Sequence, residues 1–127
     1  MNSDSKDKLK SKRMALFSSF QYAIEGIIQA VKQERNLKIH IFFAVAVIGL
    51  GFWTSLSRME WLFVFIAIGG MFALELINTA IERVVDLVTE EFHPLAKQAK
   101  DIAAGAVFIF SILSVIIGLI IFLPKFI

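Results

Sequence analysis

Long apolar stretches alternate with short polar segments along the chain. The last stretch, residues 102–123, contains 22 residues and no charge, and residues 39–56 form a second apolar run. A helix needs roughly 20 apolar residues to cross the hydrocarbon core of a bilayer. We therefore predict spanning helices at 39–57, 60–88 and 94–123, of which the second and third extend beyond the membrane.

The apolar run of the middle helix is short for a membrane span, since it covers only the 14 residues 61–74. The helical periodicity nevertheless continues through Glu75, Asn78 and Glu82. Either this is a buried helix of a soluble protein, or it spans the membrane with polar groups on one face. The two clear spans beside it favour the second interpretation.

Residues 14–33 have a different pattern, with apolar side chains at i, i+3, i+4 and i+7 and polar side chains on the other face. This periodicity predicts an amphipathic helix at 14–35 that lies in the membrane interface. A soluble helix packed on a partner is the alternative. Residues 1–13 are rich in Ser, Lys and Asp and predict a disordered basic tail, so the membrane domain covers 14–127.

Composition supports a membrane protein. Hydrophobic residues make up 57% of the chain, and the mean hydropathy is +0.75, whereas globular chains are roughly 45–50% apolar. This excludes disorder, and the absence of Cys excludes a disulfide scaffold. Charged residues still make up 19% of the chain, which is more than a simple membrane anchor needs.

The basic residues divide unequally between the two sides of the membrane. Eight precede the first span and three lie in the second connection, against two on the other side. Because Lys and Arg concentrate on the cytoplasmic side, we expect the amino terminus and the second connection to face the cytoplasm.

The second span carries the polar residues that indicate chemistry. At about 100° per residue, Glu75, Asn78, Glu82 and Asp86 share one face, over roughly 16 Å of helix. An acid inside a membrane costs several kcal/mol unless it is paired or functional. Glu75 is the deepest acid and suits a general base, whereas Glu82, nearer the cytoplasm, suits Mg²⁺.

Two non-enzymatic alternatives remain open at this point. The polar face could join helices in an oligomer, although carboxylates repel one another without cations. It could also line a cation path, although residues 59–74 offer almost no polar side chain to continue such a path. No glycine-rich phosphate loop is present, so a nucleotide would be held by metal ions and side chains; Gly69 and Gly70 indicate helix packing.

Residues 75–86 resemble the signature of the prokaryotic diacylglycerol kinase family, which reads E-x-[hydrophobic]-N-[ST]-[SA]-[hydrophobic]-E-x-x-V-D. The downstream sequence Ala99-Lys100-Asp101 also matches, and the resemblance extends from about residue 14 onward. It implies an all-α integral membrane protein, with a surface helix and three transmembrane helices, that forms a homotrimeric helical bundle with active sites shared between chains. Such enzymes transfer the γ-phosphate of Mg-ATP to a lipid alcohol at the cytoplasmic face of the bacterial cell membrane, with no nucleic-acid partner.

The resemblance also implies a role for each matching residue. Glu75 corresponds to the catalytic base, Glu34 and Glu82 to the carboxylates that hold Mg²⁺, and Asn78 to a supporting residue. The implied ATP contacts are Tyr22, Glu34, Glu82, Asp86, Glu91, His93, Lys100 and Asp101. One position departs from the family: the enterobacterial members carry an Arg where this chain has Ala15, and nearby Arg13 receives no role.

The resemblance favours one lipid over another. Residues 36–40 and 100–107 are similar to the Gram-positive branch of the family, which acts mainly on undecaprenol, whereas the enterobacterial branch phosphorylates diacylglycerol. We therefore expect undecaprenol as the substrate, with diacylglycerol as the alternative. The sequence shows no readable specificity pocket for either lipid.

Overall fold

The computed structural model describes residues 3–127, with side chains described from residue 6. Within these residues the secondary structure is entirely helical, which confirms the predicted all-helical fold. The chain divides into two compact units, Met1–Gln33 and Glu34–Ile127, and each is described by itself. The helices are α1 (Ser3–Gln33), α2 (Arg35–Trp53), α3 (Arg58–Val88) and α4 (Pro94–Phe122), followed by a short 3-10 helix, Leu123–Lys125.

Helix α1 begins earlier than the sequence pattern predicts. Residues 3–13, predicted to be part of a disordered tail, are helical, and residues 1–2 lie outside the described residues. No Gly or Pro precedes Gly26, so nothing in this segment interrupts a helix once it has formed. Phe17, Phe20 and Ile24 are exposed along α1, and its placement in the membrane interface stays a prediction.

Three helices of the second unit have the length and composition of membrane spans. They are Arg35–Trp53, Arg58–Val88 and Pro94–Lys125, so the three predicted spans are confirmed as helices long and apolar enough to cross a membrane. Many of their large apolar side chains are exposed, among them Phe108, Ile109 and Ile120 on α4. Exposed apolar surface of this kind is stable in lipid and unfavourable in water.

A tight turn joins α2 to α3 at the end of the bundle away from the polar residues of α3. Ser55 adopts the left-handed region there, with φ 55°, and α3 then begins with a capping box. The Ser57 hydroxyl accepts from the Glu60 backbone N–H, and the Glu60 carboxylate accepts from the Ser57 N–H at 2.7 Å. Glu60 also pairs with Lys125 at 3.0 Å, which joins the start of α3 to the end of the chain.

Helix α4 packs along α3, and α2 packs against the same helix. A small core of Leu56, Val64 and Ile121 lies near the turn between α2 and α3. Nearer the middle of α3, Gly70 allows the Phe110 ring of α4 to lie directly against the backbone, where any added Cβ would collide with the ring. The neighbouring Gly69 faces open space. The predicted packing role of the glycine pair therefore belongs to Gly70.

We expect Gly70→Ala to lower the stability of the folded protein, because the new methyl group forces α3 and α4 apart or displaces Phe110. Overpacking of this kind typically costs about 1–3 kcal/mol. Thermal unfolding in detergent micelles measures the effect. Gly69→Ala is the matched control and should unfold at the wild-type temperature or above it, because Ala favours a helix. Equal midpoints for the two variants would contradict the packing role.

Candidate active site

The second half of α3 contains an unusual group of buried polar side chains. Glu75, Asn78 and Thr79 are 4%, 8% and 6% exposed. The buried Asn and Thr lie one turn beyond Glu75 on the face that packs against the other helices, whereas Ile77 and Val84 are exposed on the opposite face. The predicted division of α3 into a polar face and an apolar face agrees with this arrangement.

Glu75 has a partner that the sequence analysis did not assign to the site. His40 of α2 places its Nε2 3.0 Å from Oε1 of Glu75, and the two side chains are 25% and 5% exposed. An isolated buried carboxylate would be strongly destabilising, and a hydrogen-bonded partner offsets much of that cost. The sequence does contain a signal for this contact, because His40 is an ionisable side chain just inside an otherwise apolar span.

Asn78 and Glu82 are joined one turn further along the helix. The Asn78 Nδ2 donates to Glu82 Oε1 at 3.0 Å, which fixes one oxygen of that carboxylate. The amide oxygen of Asn78 is buried and receives no hydrogen bond from the described residues. A buried acceptor without a donor costs about 1–3 kcal/mol, and such an atom is typical of a site that binds something.

Glu34 reaches the same helix from the start of α2. Its Oε1 lies 3.4 Å from an Arg83 guanidinium nitrogen, and Arg83 is adjacent in sequence to Glu82. Arg83 is one of the three basic residues of the second connection. Arg83 therefore connects two predicted metal-binding residues, because it pairs with Glu34 and directly follows Glu82 in the sequence.

Five of the predicted nucleotide contacts, from the end of α3, the start of α4 and the connection between them, line one cavity of about 380 Å³, whereas Glu82 of α3 does not. Lys100 donates to Asp86 at 2.6 Å and so joins α4 to α3, whereas Lys97 pairs with Asp101 on its own helix. The predicted residues in the cavity lining are Asp86, Glu91, His93, Lys100 and Asp101. The structure thus brings together five of the residues predicted to contact ATP.

His93 has a structural role as well as a predicted binding role. Its Nδ1 accepts from the Leu95 backbone N–H at 3.2 Å, and Pro94 follows at the first helical position. This cap satisfies one of the free N–H groups at the start of α4. Tyr22 lies on α1, where its side chain is exposed, and its nucleotide contact stays a prediction.

The acidic residues do not form a closed metal site within one chain. Among the residues that the structure describes, no three His, Cys, Asp or Glu side chains come together to hold a metal ion. Glu34, Glu82 and the free Asn78 oxygen are nevertheless hard oxygen donors of the kind that Mg²⁺ prefers. The residues present fit that ion, provided that phosphate oxygens, water or another chain complete its coordination.

The fold and the site define a multi-pass membrane protein with a buried acidic side chain, Glu75, on its central helix. Comparison with known sequences gives the family. The family model for prokaryotic diacylglycerol kinase matches residues 21–122. The chain belongs to that family, so it is a lipid kinase, and a kinase uses ATP.

Individual relatives agree with this assignment. The chain is 53% identical to the undecaprenol kinase of Bacillus subtilis (strain 168) over 122 residues, covering 96% of this chain and 98% of that protein. A diacylglycerol kinase of Synechocystis sp. is 43% identical, covering 86% of this chain and 63% of the relative. The diacylglycerol kinase of Haemophilus influenzae is 34% identical, covering 74% and 80%.

We expect Asn78→Leu to separate stability from activity. The change removes a buried acceptor that has no donor, so the thermal unfolding midpoint should stay the same or rise. It also releases the Glu82 carboxylate, so turnover should fall by about 10-fold or more. Thr79→Val, a change of similar shape at the neighbouring buried position, should leave turnover unchanged. An Asn78→Leu enzyme with wild-type turnover would show that the Asn78–Glu82 contact is structural.

Proposed function

We propose that this protein transfers the γ-phosphate of Mg-ATP to the hydroxyl group of undecaprenol, giving undecaprenyl phosphate. The observation that carries the proposal is the almost fully buried Glu75 carboxylate in the middle of a spanning helix. A row of oxygen and amide groups, Asn78, Glu82 and Asp86, continues from it along α3. A lipid alcohol and a water-soluble phosphate donor need such a site, because they approach the reaction from different solvents.

In the proposed reaction Glu75 acts as the general base. Its carboxylate accepts the proton of the lipid hydroxyl as the hydroxyl oxygen attacks the γ-phosphorus. The bond between that phosphorus and the bridging oxygen to the β-phosphate breaks, and ADP leaves with the bonding electrons. Phosphoryl transfer of this kind depends mainly on positioning and on neutralising charge, so the remaining residues serve to hold the reactants.

The carboxylates of Glu34 and Glu82 are proposed to hold Mg²⁺, with Asn78 supporting them. The hydrogen bond from Asn78 Nδ2 to Glu82 Oε1 leaves the second Glu82 oxygen available for this purpose. Arg83 keeps Glu34 against α3. A bound Mg²⁺ would neutralise charge on the transferred phosphate.

The cavity between α3 and α4 is proposed to receive the nucleotide. Lys100 is proposed as the cation that binds phosphate there, because it lines the cavity and its ammonium group lies 2.6 Å from Asp86 across the two helices. Asp101, Glu91 and His93 are proposed as further ATP contacts, together with Tyr22, Glu34, Glu82 and Asp86. On this proposal the phosphates replace Asp86 as the partner of the Lys100 ammonium group.

The proposed assembly is a homotrimer in the bacterial cell membrane, with the amino terminus and the active site on the cytoplasmic side. The orientation is supported by the excess of Lys and Arg at that end of the bundle. Sharing of sites between chains is supported by the incomplete set of metal-binding side chains that the described residues of one chain provide. The apolar face of α1 is proposed to lie in the membrane interface.

The choice of undecaprenol is supported by the long, nearly complete match to the Bacillus subtilis undecaprenol kinase. Diacylglycerol remains the second candidate, since the Synechocystis relative at 43% identity is a diacylglycerol kinase. Both are lipids with a single free hydroxyl, so Glu75 could serve either. The two lipids differ in their apolar parts, and one kinase assay can compare their rates of phosphorylation directly.

We expect the purified protein to phosphorylate undecaprenol in mixed micelles with Mg-ATP, and to phosphorylate diacylglycerol more slowly. Transfer of label from γ-labelled ATP to each lipid measures both reactions. Glu75→Gln should fold normally and lose turnover by about 100-fold or more, since it cannot accept a proton. Glu60→Gln changes an acid at the opposite end of α3 and is the control. Full activity of Glu75→Gln would refute the assigned base, and faster phosphorylation of diacylglycerol would refute the preferred substrate.

Glu82→Gln should raise the Mg²⁺ concentration needed for half-maximal turnover by about 10-fold, because an amide binds the cation more weakly than a carboxylate does. Initial rates at fixed ATP and increasing free Mg²⁺ measure this concentration. Chelation of Mg²⁺ should abolish wild-type turnover. The same Mg²⁺ requirement in Glu82→Gln and in the wild type would argue against a metal role for this carboxylate.

A further inference from the structure

Residue His40 is not assigned to the reaction by the family signature that the sequence carries, yet it makes the hydrogen bond that the structure forms to the proposed base. We propose that His40 is a positioning residue, which fixes one oxygen of the Glu75 carboxylate so that the other faces the lipid hydroxyl. The inference rests on the proposed function, in which Glu75 is the base.

The direction of the hydrogen bond follows from the role of Glu75. A carboxylate that is about to accept a proton has none of its own and can only accept hydrogen bonds. The His40 Nε2, 3.0 Å from Glu75 Oε1, must therefore carry the hydrogen and donate it. No described residue forms a hydrogen bond to Oε2, so this second oxygen is left for the substrate.

The backbone around His40 is well placed to hold that geometry. Leu37, one turn earlier on α2, is 1% exposed and is the most completely buried large side chain. It anchors the start of α2 in the unit formed by Glu34–Ile127. The imidazole of His40 therefore projects from a fixed helix turn, and its ring has few rotatable bonds with which to move away from Glu75.

The surroundings of His40 argue against a role in simple space filling. Its ring also lines an apolar cavity of about 180 Å³ between α2, α3 and α4, in which Ser114 is the only other lining residue with a polar side chain. Glu75 itself does not line this cavity. A polar ring beside apolar surface costs free energy unless it is hydrogen-bonded, and a Leu or Phe would fill the position at lower cost.

The proposed reaction explains why a polar ring occupies this position despite its free-energy cost. A carboxylate held at one oxygen cannot rotate freely, so its second oxygen keeps a constant direction when the lipid hydroxyl arrives. Misplacing a reacting group by about 1 Å can reduce turnover by about 100-fold. His40 thus acts through Glu75 and not on the substrate, and its loss should appear in kcat and not in the KM for ATP.

The test compares three variants in the full-length protein, in the same lipid micelles as the wild type. His40→Leu removes the donor and keeps an apolar side chain beside the cavity, whereas His40→Gln restores an N–H donor of similar reach. Ser111→Ala is the matched control. Its hydroxyl also contacts α3, at Met71 Sδ (3.7 Å), one turn before Glu75, but it does not reach the carboxylate.

We expect His40→Leu to lower kcat by about 10- to 100-fold with the KM for ATP unchanged. His40→Gln should recover most of that loss, and Ser111→Ala should match the wild type. Thermal unfolding and oligomer mass should be the same for all three variants.

Three outcomes would overturn the inference: unchanged turnover in His40→Leu, equal losses in His40→Leu and His40→Gln, or a loss that follows a lower unfolding temperature. A wild-type protein that phosphorylates neither lipid would refute the proposed function itself, and the inference with it. Wild-type turnover with an unaffected His40→Leu would refute the inference alone.

Discussion

A carboxylate inside a membrane is the constraint on which the rest of this structure depends. Glu75 follows a long apolar run on α3, and its side chain is almost completely removed from solvent. Such a group is tolerated only if neighbouring helices supply hydrogen bonds that offset its desolvation. The hydrogen bond from His40 of α2 provides such a partner.

Three polar contacts between helices, in the half of the bundle that contains Glu75, each involve α3. His40 and Glu34 attach α2 to it, and Lys100 attaches α4. At the opposite end the attachment is made by Glu60 with Lys125 and by aromatic packing such as Phe52 on Trp61. In a membrane, where lipid already solvates apolar side chains, such polar contacts and close backbone packing are what specify how helices fit together. The central helix therefore carries both the fold and the proposed chemistry.

Much of this arrangement could be predicted from the sequence, because it depends on local periodicity. The spans follow from uninterrupted apolar runs, and the shared face of Asn78 and Glu82 follows from the helical repeat. The His40–Glu75 and Glu34–Arg83 contacts could not be predicted, since each joins residues distant in sequence through the packing of α2 on α3. The helical start of α1 could not be predicted from composition, since a segment rich in Ser, Lys and Asp is typical of disorder, yet this one contains no Gly or Pro and is helical from Ser3.

The unbroken course of α3 has a consequence for how the two substrates meet. At about 1.5 Å per residue, its 31 residues extend about 46 Å, well beyond a hydrocarbon core of about 30 Å. The proposed base, Glu75, and two of the proposed ligands on the phosphate side, Glu82 and Asp86, thus lie on one continuous helix with no break between them. Their separation is set by the count of residues and not by a domain movement. The helix therefore crosses the water–lipid boundary with its reactive groups at constant positions, and both substrates must move to those positions.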